Sequence, residues 1–402
     1  MPEARPTVQS RKISFTERVY LAAERPRAGF SIEIVLEGSG DLSVERVQTA
    51  VERAAAVNPG CRLVLRGVLG WSRWVACGPL PPVRVLESWP DGSARVGIAR
   101  PLSPLHGPTC ELVLVRSPEP RILFRCFHGV MDAQGLLGFA EDVFRVLRGE
   151  PPVGADCTVN DGELVRSLVG RRTRAALAAR YAPIRGPAGS RRRRVVSRRI
   201  SLAGRIPAMV ARVAAALARL AYRQHAMPTR IMIPVDLRRY QKGLRASGNL
   251  TYPIFLDVAA EPTWQEVHGT MLRSLAAKEA LRLDPADCIV RWLPMLVLRL
   301  VYALWSGGHR RRGRFPFSAV VSHVHIPNAG SLSGGGFACR SVHALPQRTD
   351  DLPLHVAIVS LADSVEVTIS APGALLDEDR LAEVADRVEH ELAHGSTERA
   401  AR

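Results

Sequence analysis

With 402 residues, the chain exceeds the usual size of a single hydrophobic core, and its 47% of hydrophobic residues can fill two cores. Its polar first residues argue against a secretory signal, so we expect a cytoplasmic protein. Its seven cysteines are scattered and form no CxxC pair, so we expect neither a disulfide framework nor a bound metal. The net charge of +17 favours an anionic partner, but only 5% aromatic residues and no recognisable DNA-binding module argue against nucleic acid.

The first part of the chain predicts strands that alternate with helices. The segment FSIEIVLEGSG (30–40) alternates as a strand does, and a helix with Ser43 as its N-cap follows and ends at Asn58. A hairpin is predicted around Gly70. Two further strands, CELVLVRS and RILFRCFH, flank the turn-forming SPEP. This inventory is typical of helices packed on a mixed sheet.

A basic segment then interrupts this pattern. The chain has 17 arginines and no acidic residue between Glu163 and Asp236, including the run RRRR at 191–194. Glycine, proline and arginine dominate 166–197, which is predicted to be a linker. Such a block attracts anionic lipid, coenzyme A phosphates or an acidic carrier protein. A solvated linker without any partner is the alternative.

The second half restarts the alternation of strands and helices. TRIMIPVDL and NLTYPIFLDV read as strands, and the helix after them has Thr263 as N-cap with Glu266 at the capping-box position. Residues 288–305 are the most hydrophobic stretch, but Arg291, Pro294 and Arg299 interrupt it. We therefore expect a buried or membrane-surface helix there rather than a spanning one.

The strand RILFRCFH ends on a histidine, and an aspartate follows four residues later. By alternation His128 continues the apolar face of Ile122 and Phe124, so its imidazole can stay neutral and act as a general base. Asp132 stands where the next helix begins. A core histidine and a helix-capping aspartate would explain the same residues without catalysis.

The segment FHGVMDAQG (127–135) resembles the HHxxxDG motif of condensation-domain and chloramphenicol-acetyltransferase-like acyltransferases, with the second histidine at His128 and the aspartate at Asp132. The segments ISFTERVYLA, IPVDLR, SGNLTYP and VVSHVHIPNAG are similar to other parts of that superfamily. Phe127 replaces the first histidine and Ala133 the glycine. These departures favour a free-standing ester- or amide-forming enzyme over a peptide-forming synthetase module.

The resemblance implies an α/β (α+β) fold with two similar chloramphenicol-acetyltransferase-like subdomains in a V, separated by a tunnel. We expect an N-terminal subdomain at 1–165, the basic linker at 166–197 and a C-terminal subdomain at 198–402. The implied reaction moves an acyl group from a thioester to a hydroxyl or amine. The donor would be acyl-coenzyme A or a phosphopantetheinyl carrier-protein thioester, with no permanently bound cofactor.

The resemblance also assigns roles to single residues. His128 would be the general base, and Asp132 would support it by pairing with an arginine, for which Arg238 is the candidate. Gly248, Asn249 and Ser322 are candidates for stabilising the oxyanion. Phe127, Gly135, Gly248 and Arg238 are expected at the substrate-binding surface.

Two other functions remain open from the sequence. One is a catalytically silent condensation-like module that recruits an acidic carrier protein. The other is an acyltransferase that acts at a lipid surface through helix 288–305, with peripheral membrane contact. A monomer is expected in each case, and enzymes of secondary metabolism or lipid biosynthesis are the nearest functional class.

Overall fold

The computed structural model describes residues 8–24, 30–89, 100–184, 195–225, 227–346 and 352–400. The arginine run at 191–194 therefore lies outside the described residues. The strands within these ranges are β1 Ser10–Lys12, β2 Ser31–Gly40, β3 Val64–Arg66, β4 Arg73–Val75, β5 Val83–Leu86, β6 Cys110–Val115, β7 Arg121–Phe127, β8 Val195–Ala203, β9 Thr229–Asp236, β10 Thr251–Val258, β11 Ala319–His325, β12 Phe337–Ala344, β13 His355–Ser360 and β14 Ser364–Pro372.

The helices confirm the predicted alternation, and short 3₁₀ turns lie between some of them. They are α1 Phe15–Ala23, α2 Val44–Val57, α3 Ala133–Leu147, α4 Asp161–Val169, α5 Met209–His225, α6 Trp264–Ala276, α7 Asp287–Val290, α8 Met295–Arg312 and α9 Glu378–Ala400. Ser43 caps α2, and Thr263 and Glu266 form the predicted capping box of α6. No described helix combines the length and the apolar character needed to cross a membrane.

A five-stranded sheet organises the N-terminal half, in the order β12-β2-β7-β6-β5. Helices α2 and α3 pack together on one face and enclose a core that includes Leu36, Phe124 and Phe144. The predicted hairpin around Gly70 is confirmed, because β3 and β4 pair antiparallel and β1 joins them in a small third sheet.

A six-stranded sheet organises the C-terminal half, in the order β10-β9-β11-β13-β14-β8. It is mixed: β11 runs parallel to both β9 and β13, and the other pairs are antiparallel. Helices α5, α6 and α9 pack on it around a second core, with α5 at the centre. The chain thus has two sheet-and-helix halves, each with its own core.

Two segments pack in the half that does not contain their neighbours in the sequence. The domain boundaries expected from the sequence do not describe this crossing. Strand β12, from the C-terminal part of the chain, pairs antiparallel with β2 at the edge of the five-stranded sheet. Leu164 and Val165 of α4 pack into the C-terminal core. Residues 166–169 lie in α4 and 195–197 lie in β8, so the described stretch without helix or strand inside the predicted linker is 170–184.

Several arginines of the block pair with carboxylates where the chain is described. Arg174 pairs with Asp284 at 2.7 Å, Arg230 pairs with Asp257 at 2.7 Å, and Arg199 pairs with Glu366 at 2.7 Å. These carboxylates come from other parts of the chain. A local surplus of charge in the sequence is therefore partly neutralised when the chain folds.

Candidate active site

His128 follows the last residue of β7. Its backbone N–H donates to the carbonyl of Phe30 at 2.8 Å, and a turn closes when Val130 N–H donates to Phe127 O at 3.0 Å. The strict alternation of the strand ends here, because Cys126 and Phe127 both lie in the N-terminal core. The turn carries the imidazole out of that core toward the C-terminal half.

Aromatic rings surround the imidazole of His128. The ring of Tyr20 lies 4.3 Å from it and that of Phe30 lies 5.4 Å from it, between centroids. Burial lowers the pKa of His128 to about 4, although hydrogen bonding to the backbone of His128 and Met131 and the charge of Asp132 act in the opposite direction. The imidazole is therefore neutral at physiological pH, as a general base must be.

Asn249 fixes the position of His128 from the other half. Its side-chain Nδ2 donates to the carbonyl oxygen of His128 at 2.7 Å and lies 3.5 Å from His128 Nδ1. The Asn249 side chain is fully buried, and its Oδ1 has no hydrogen-bond partner among the described residues. A buried amide oxygen without a partner costs about 1–3 kcal/mol.

Asp132 connects the two halves directly below His128. It caps α3 by accepting from Gly135 N–H at 2.8 Å, as the capping interpretation predicts. Its carboxylate also accepts from Arg238 Nη1 at 2.9 Å and Nη2 at 3.1 Å, from Leu250 N–H at 2.9 Å and from Thr251 Oγ1 at 3.1 Å. The pairing of Asp132 with Arg238 is thus present in the structure.

Charge and burial act against each other at this pair. Burial alone would raise the pKa of Asp132, but the adjacent Arg238 guanidinium and the backbone donors hold it below its ordinary value. Arg238 also donates to Asp236, to the carbonyl of Ala246 and to that of Gly248, each at 2.8–2.9 Å. The aspartate is therefore ionised and held by donors from both halves.

Two of the predicted substrate-binding residues, Gly135 and Gly248, lie at a close approach of the halves. A Cβ on Gly135 would lie 2.2 Å from Ser247 O, and a Cβ on Gly248 would lie 2.8 Å from Val159 O. The carbonyl of Gly248 accepts from Arg238, and Phe127 is only 1% exposed within the N-terminal core. These residues support the contact between halves and the position of the turn.

His355, at the start of β13, is a residue that the sequence reasoning missed. His355 lies within electrostatic range of His128. Burial and, to a smaller extent, the nearby His128 lower the pKa of the His355 imidazole to about 4. Its Nε2 is 3.4 Å from Ser322 Oγ, which links the predicted Ser322 to the site. No motif surrounds His355, so only the folded chain brings these residues together.

The remaining chemistry-bearing residues lie elsewhere. His323 is on the opposite face of β11 from Ser322, where its Nε2 is 2.8 Å from Ser360 Oγ. Tyr20, which the sequence reasoning also missed, sits on α1 against His128. Among the described residues, no group of three or more His, Cys, Asp or Glu side chains is placed to hold a metal ion.

Comparisons with known proteins give structural matches alone. No protein-family model matches the sequence, and no curated protein sequence matches it significantly. The starter condensation domain of rhizomide synthetase RzmA, in a mutant complex with C8-CoA and Leu-SNAC, aligns with a TM-score of 0.65 at 14% identity, covering 96% of this chain and 95% of that one. The unmutated RzmA domain aligns with a TM-score of 0.63 at 14% identity, covering 97% of each chain.

A second protein gives the same result. The condensation domain of the monacolin K polyketide synthase MokA aligns with a TM-score of 0.63 at 14% identity, covering 97% of this chain and 98% of that one. The likeness extends over nearly the whole chain and so includes both halves. The expected architecture of two α/β halves is confirmed, and the protein has the condensation-domain fold.

Proposed function

We propose that the protein is an acyltransferase that moves an acyl group from a thioester to a hydroxyl or amine, with His128 as the general base. The observation that carries this proposal is a neutral imidazole held at the contact of two halves, with Asn249 bonded to its backbone. One of the structural neighbours binds C8-CoA and Leu-SNAC. Both are thioester ligands, which supports the proposed donor class.

The proposed reaction needs one proton carrier and no covalent acyl-enzyme. His128 takes the proton of the acceptor's O–H or N–H while that atom attacks the thioester carbonyl carbon. The tetrahedral intermediate then collapses, the C–S bond breaks, and the imidazolium returns the proton to the departing sulfur. Holding donor and acceptor together in a tunnel between the halves would replace a bimolecular encounter with an oriented one.

The hydrogen bonds of the site support a specific division of labour. For Nε2 to act as the base, Nδ1 must carry the ring proton, and the hydrogen bonding of the ring to the His128 backbone supports a proton on Nδ1. Nε2 is then the nitrogen that meets the acceptor, while Asn249 Nδ2 donates to His128 O. Asp132 and Arg238 hold the turn that aims the ring. Ser322 Oγ is our candidate donor to the oxyanion, because it stands next to His355 near His128.

The test is a turnover assay on the purified protein with a panel of acyl-coenzyme A thioesters and of hydroxyl and amine acceptors. Free thiol release is followed by a thiol-reactive dye, and the acylated acceptor is identified by mass spectrometry. Thiol release that depends on the acceptor and is lost in His128→Ala supports the proposal. Turnover that survives unchanged in a folded His128→Ala protein overturns it.

A silent module that recruits a carrier protein is the second candidate, and one observation favours it. The sequence has a net charge of +17, which would attract an acidic carrier domain. If no thioester in the panel is turned over, but an acidic acyl carrier protein binds in a pull-down that fails at high salt, this second function replaces the first.

A further inference from the structure

Helix α8 exposes a continuous apolar face. Six of its side chains form two neighbouring rows with i, i+4 spacing, and each is more than two-fifths exposed. We call them the apolar face of α8: Leu296, Val297, Leu300, Val301, Leu304 and Trp305. At 3.6 residues per turn they cover about half of the helix circumference. Soluble proteins rarely leave such a surface in water, so it indicates a partner.

The surface continues beyond the helix into a neighbouring loop. Trp292 precedes α8, and its ring meets that of Trp71 edge to face at 5.5 Å. Trp71 is 68% exposed and Trp292 is 47% exposed. Arg18 of α1 holds these two segments together, because its guanidinium donates to the carbonyls of Leu69 at 3.1 Å and Leu293 at 2.6 Å. The face is therefore built on a fixed support.

Positive charge borders this face. Arg291, Arg299, Arg311 and Arg312 are exposed, and Arg291 stacks over the Trp292 ring at 5.1 Å. The sequence has no acidic residue between Asp287 and Asp350. The carboxyl of Glu24 interacts with Arg299, and burial raises the pKa of this carboxyl to about 7. The charge at the border of the face is thus basic.

We propose that the apolar face of α8 docks the protein on an anionic lipid bilayer. A convex helix with leucine and valine at its centre, tryptophan at both ends and arginine at its border matches an interfacial helix, in which the apolar side enters the acyl region and the cations meet the headgroups. This inference does not depend on the proposed function.

The position of the face relative to the site gives it a use. Helix α8 packs on α1, and α1 also carries Tyr20, whose ring lies 4.3 Å from that of His128. Helix α1 therefore contacts both the helix that carries the docking face and the imidazole. If the proposed function holds, docking places the site next to a membrane, where the acceptor or donor would be a lipid.

The experiment is vesicle co-sedimentation of the full chain. The probes are vesicles of phosphatidylcholine alone and of phosphatidylcholine mixed with phosphatidylglycerol. We expect binding to the anionic vesicles, and a blue shift of tryptophan emission on binding. The double variant Leu300→Asp/Leu304→Asp should lower the partition coefficient by about tenfold or more, because charges then enter the apolar region. Arg311→Ser/Arg312→Ser should weaken binding to anionic vesicles by about fivefold per arginine and leave neutral vesicles unaffected.

The matched control is Leu272→Asp on α6, which replaces a leucine outside the face that is 50% exposed, against 60% for Leu300 and 67% for Leu304. It should bind vesicles as the wild type does. The proposal is overturned if the wild type does not sediment with anionic vesicles, or if the double variant binds as well as the control. It is also overturned if sedimentation velocity shows that the wild type is a dimer and the double variant a monomer, because the face is then an interface between two copies of the chain.

The outcome is separable from the proposed enzymatic function. Thioester turnover with a soluble donor and acceptor, measured without lipid, should be the same in the wild type and in Leu300→Asp/Leu304→Asp. Normal turnover without vesicle binding removes only the docking proposal. Vesicle binding without turnover by any thioester removes only the acyl-transfer proposal.

Discussion

Removing the guanidinium that locks Asp132 should destabilise the protein strongly and in a pH-dependent way. The change is Arg238→Met, which keeps much of the side-chain volume. It deletes two hydrogen bonds to Asp132, one to Asp236 and those to the carbonyls of Ala246 and Gly248. The Asp132 carboxylate, with its side chain 6% exposed, keeps the N–H donors of Gly135 and Leu250 and the hydroxyl donor of Thr251 but loses its countercharge.

Removing one partner of a buried ion pair costs about 3–5 kcal/mol, because the other charge stays buried without compensation. The matched control is Arg230→Met. Arg230 also makes two hydrogen bonds to an aspartate, Asp257, but the carboxylate side chain is 55% exposed. Solvent screens that pair, so its loss should cost about 1 kcal/mol or less.

The pH dependence has a definite sign. In the wild type the pKa of Asp132 lies below its ordinary value. The ionised Asp132 therefore contributes fully to stability at pH values above that ordinary pKa, and this contribution is lost as the pH falls through the lower pKa of the folded protein. In Arg238→Met, burial should raise this pKa above the ordinary value, so the variant regains stability as pH falls. The free-energy difference between the two proteins should therefore narrow from pH 7 toward about pH 4.

Urea unfolding followed by circular dichroism at pH 7 and at pH 5 measures both proteins and the control. An Arg238→Met deficit no larger than that of Arg230→Met at pH 7 would refute the reasoning that this pair holds the halves together. A deficit that widens as pH falls would contradict the assigned ionisation of Asp132.

Further predictions concern the imidazole and the close approach of the halves. His128→Ala should keep its unfolding temperature and lose about 100-fold to 10,000-fold in turnover, whereas the exposed His106→Ala should change neither quantity. The pH profile of turnover should have its acid limb near pH 4 rather than near 6.5, because burial lowers the pKa of His128 to about 4; a limb at 6.5 would show a solvated base. Gly135→Ala should lower the thermal midpoint because its Cβ would lie 2.2 Å from Ser247 O, while Gly138→Ala on the same helix, with no atom within 4 Å of its Cβ, should raise it. Equal midpoints for the two glycine variants would argue against a tight contact at α3.

Local patterns predicted the secondary structure well, because alternation and capping depend on neighbouring residues. The strand before His128, the Ser43 cap and the capping box of α6 are all local features, and each is present in the structure. The pairing of Asp132 with Arg238 came from resemblance rather than from spacing. No local pattern connects two residues that are so far apart along the chain.

The parts that the sequence could not predict depend on contacts between distant segments. His355 has no motif around it and gains its position from the parallel pairing of β13 with β11. Arg174 and Arg230 belong to a block that suggested an exposed polycation, yet both pair with remote carboxylates. The hydrophobic stretch 288–305 was expected to be buried or to lie at a membrane surface, and the structure exposes one face of it along α8.

The pairing of β12 with β2 has a consequence for biosynthesis. It joins Gly40 to Phe337 and Ile34 to Ala344. One edge of β2 therefore stays unpaired during synthesis until the ribosome has made β12. At ribosomal rates of about 5–20 residues per second, the delay is on the order of 15–60 s. Throughout that interval the unpaired amide and carbonyl groups of β2 can recruit a strand from another nascent chain. Expression yield should therefore depend on chaperone supply more than on the stability of the finished protein.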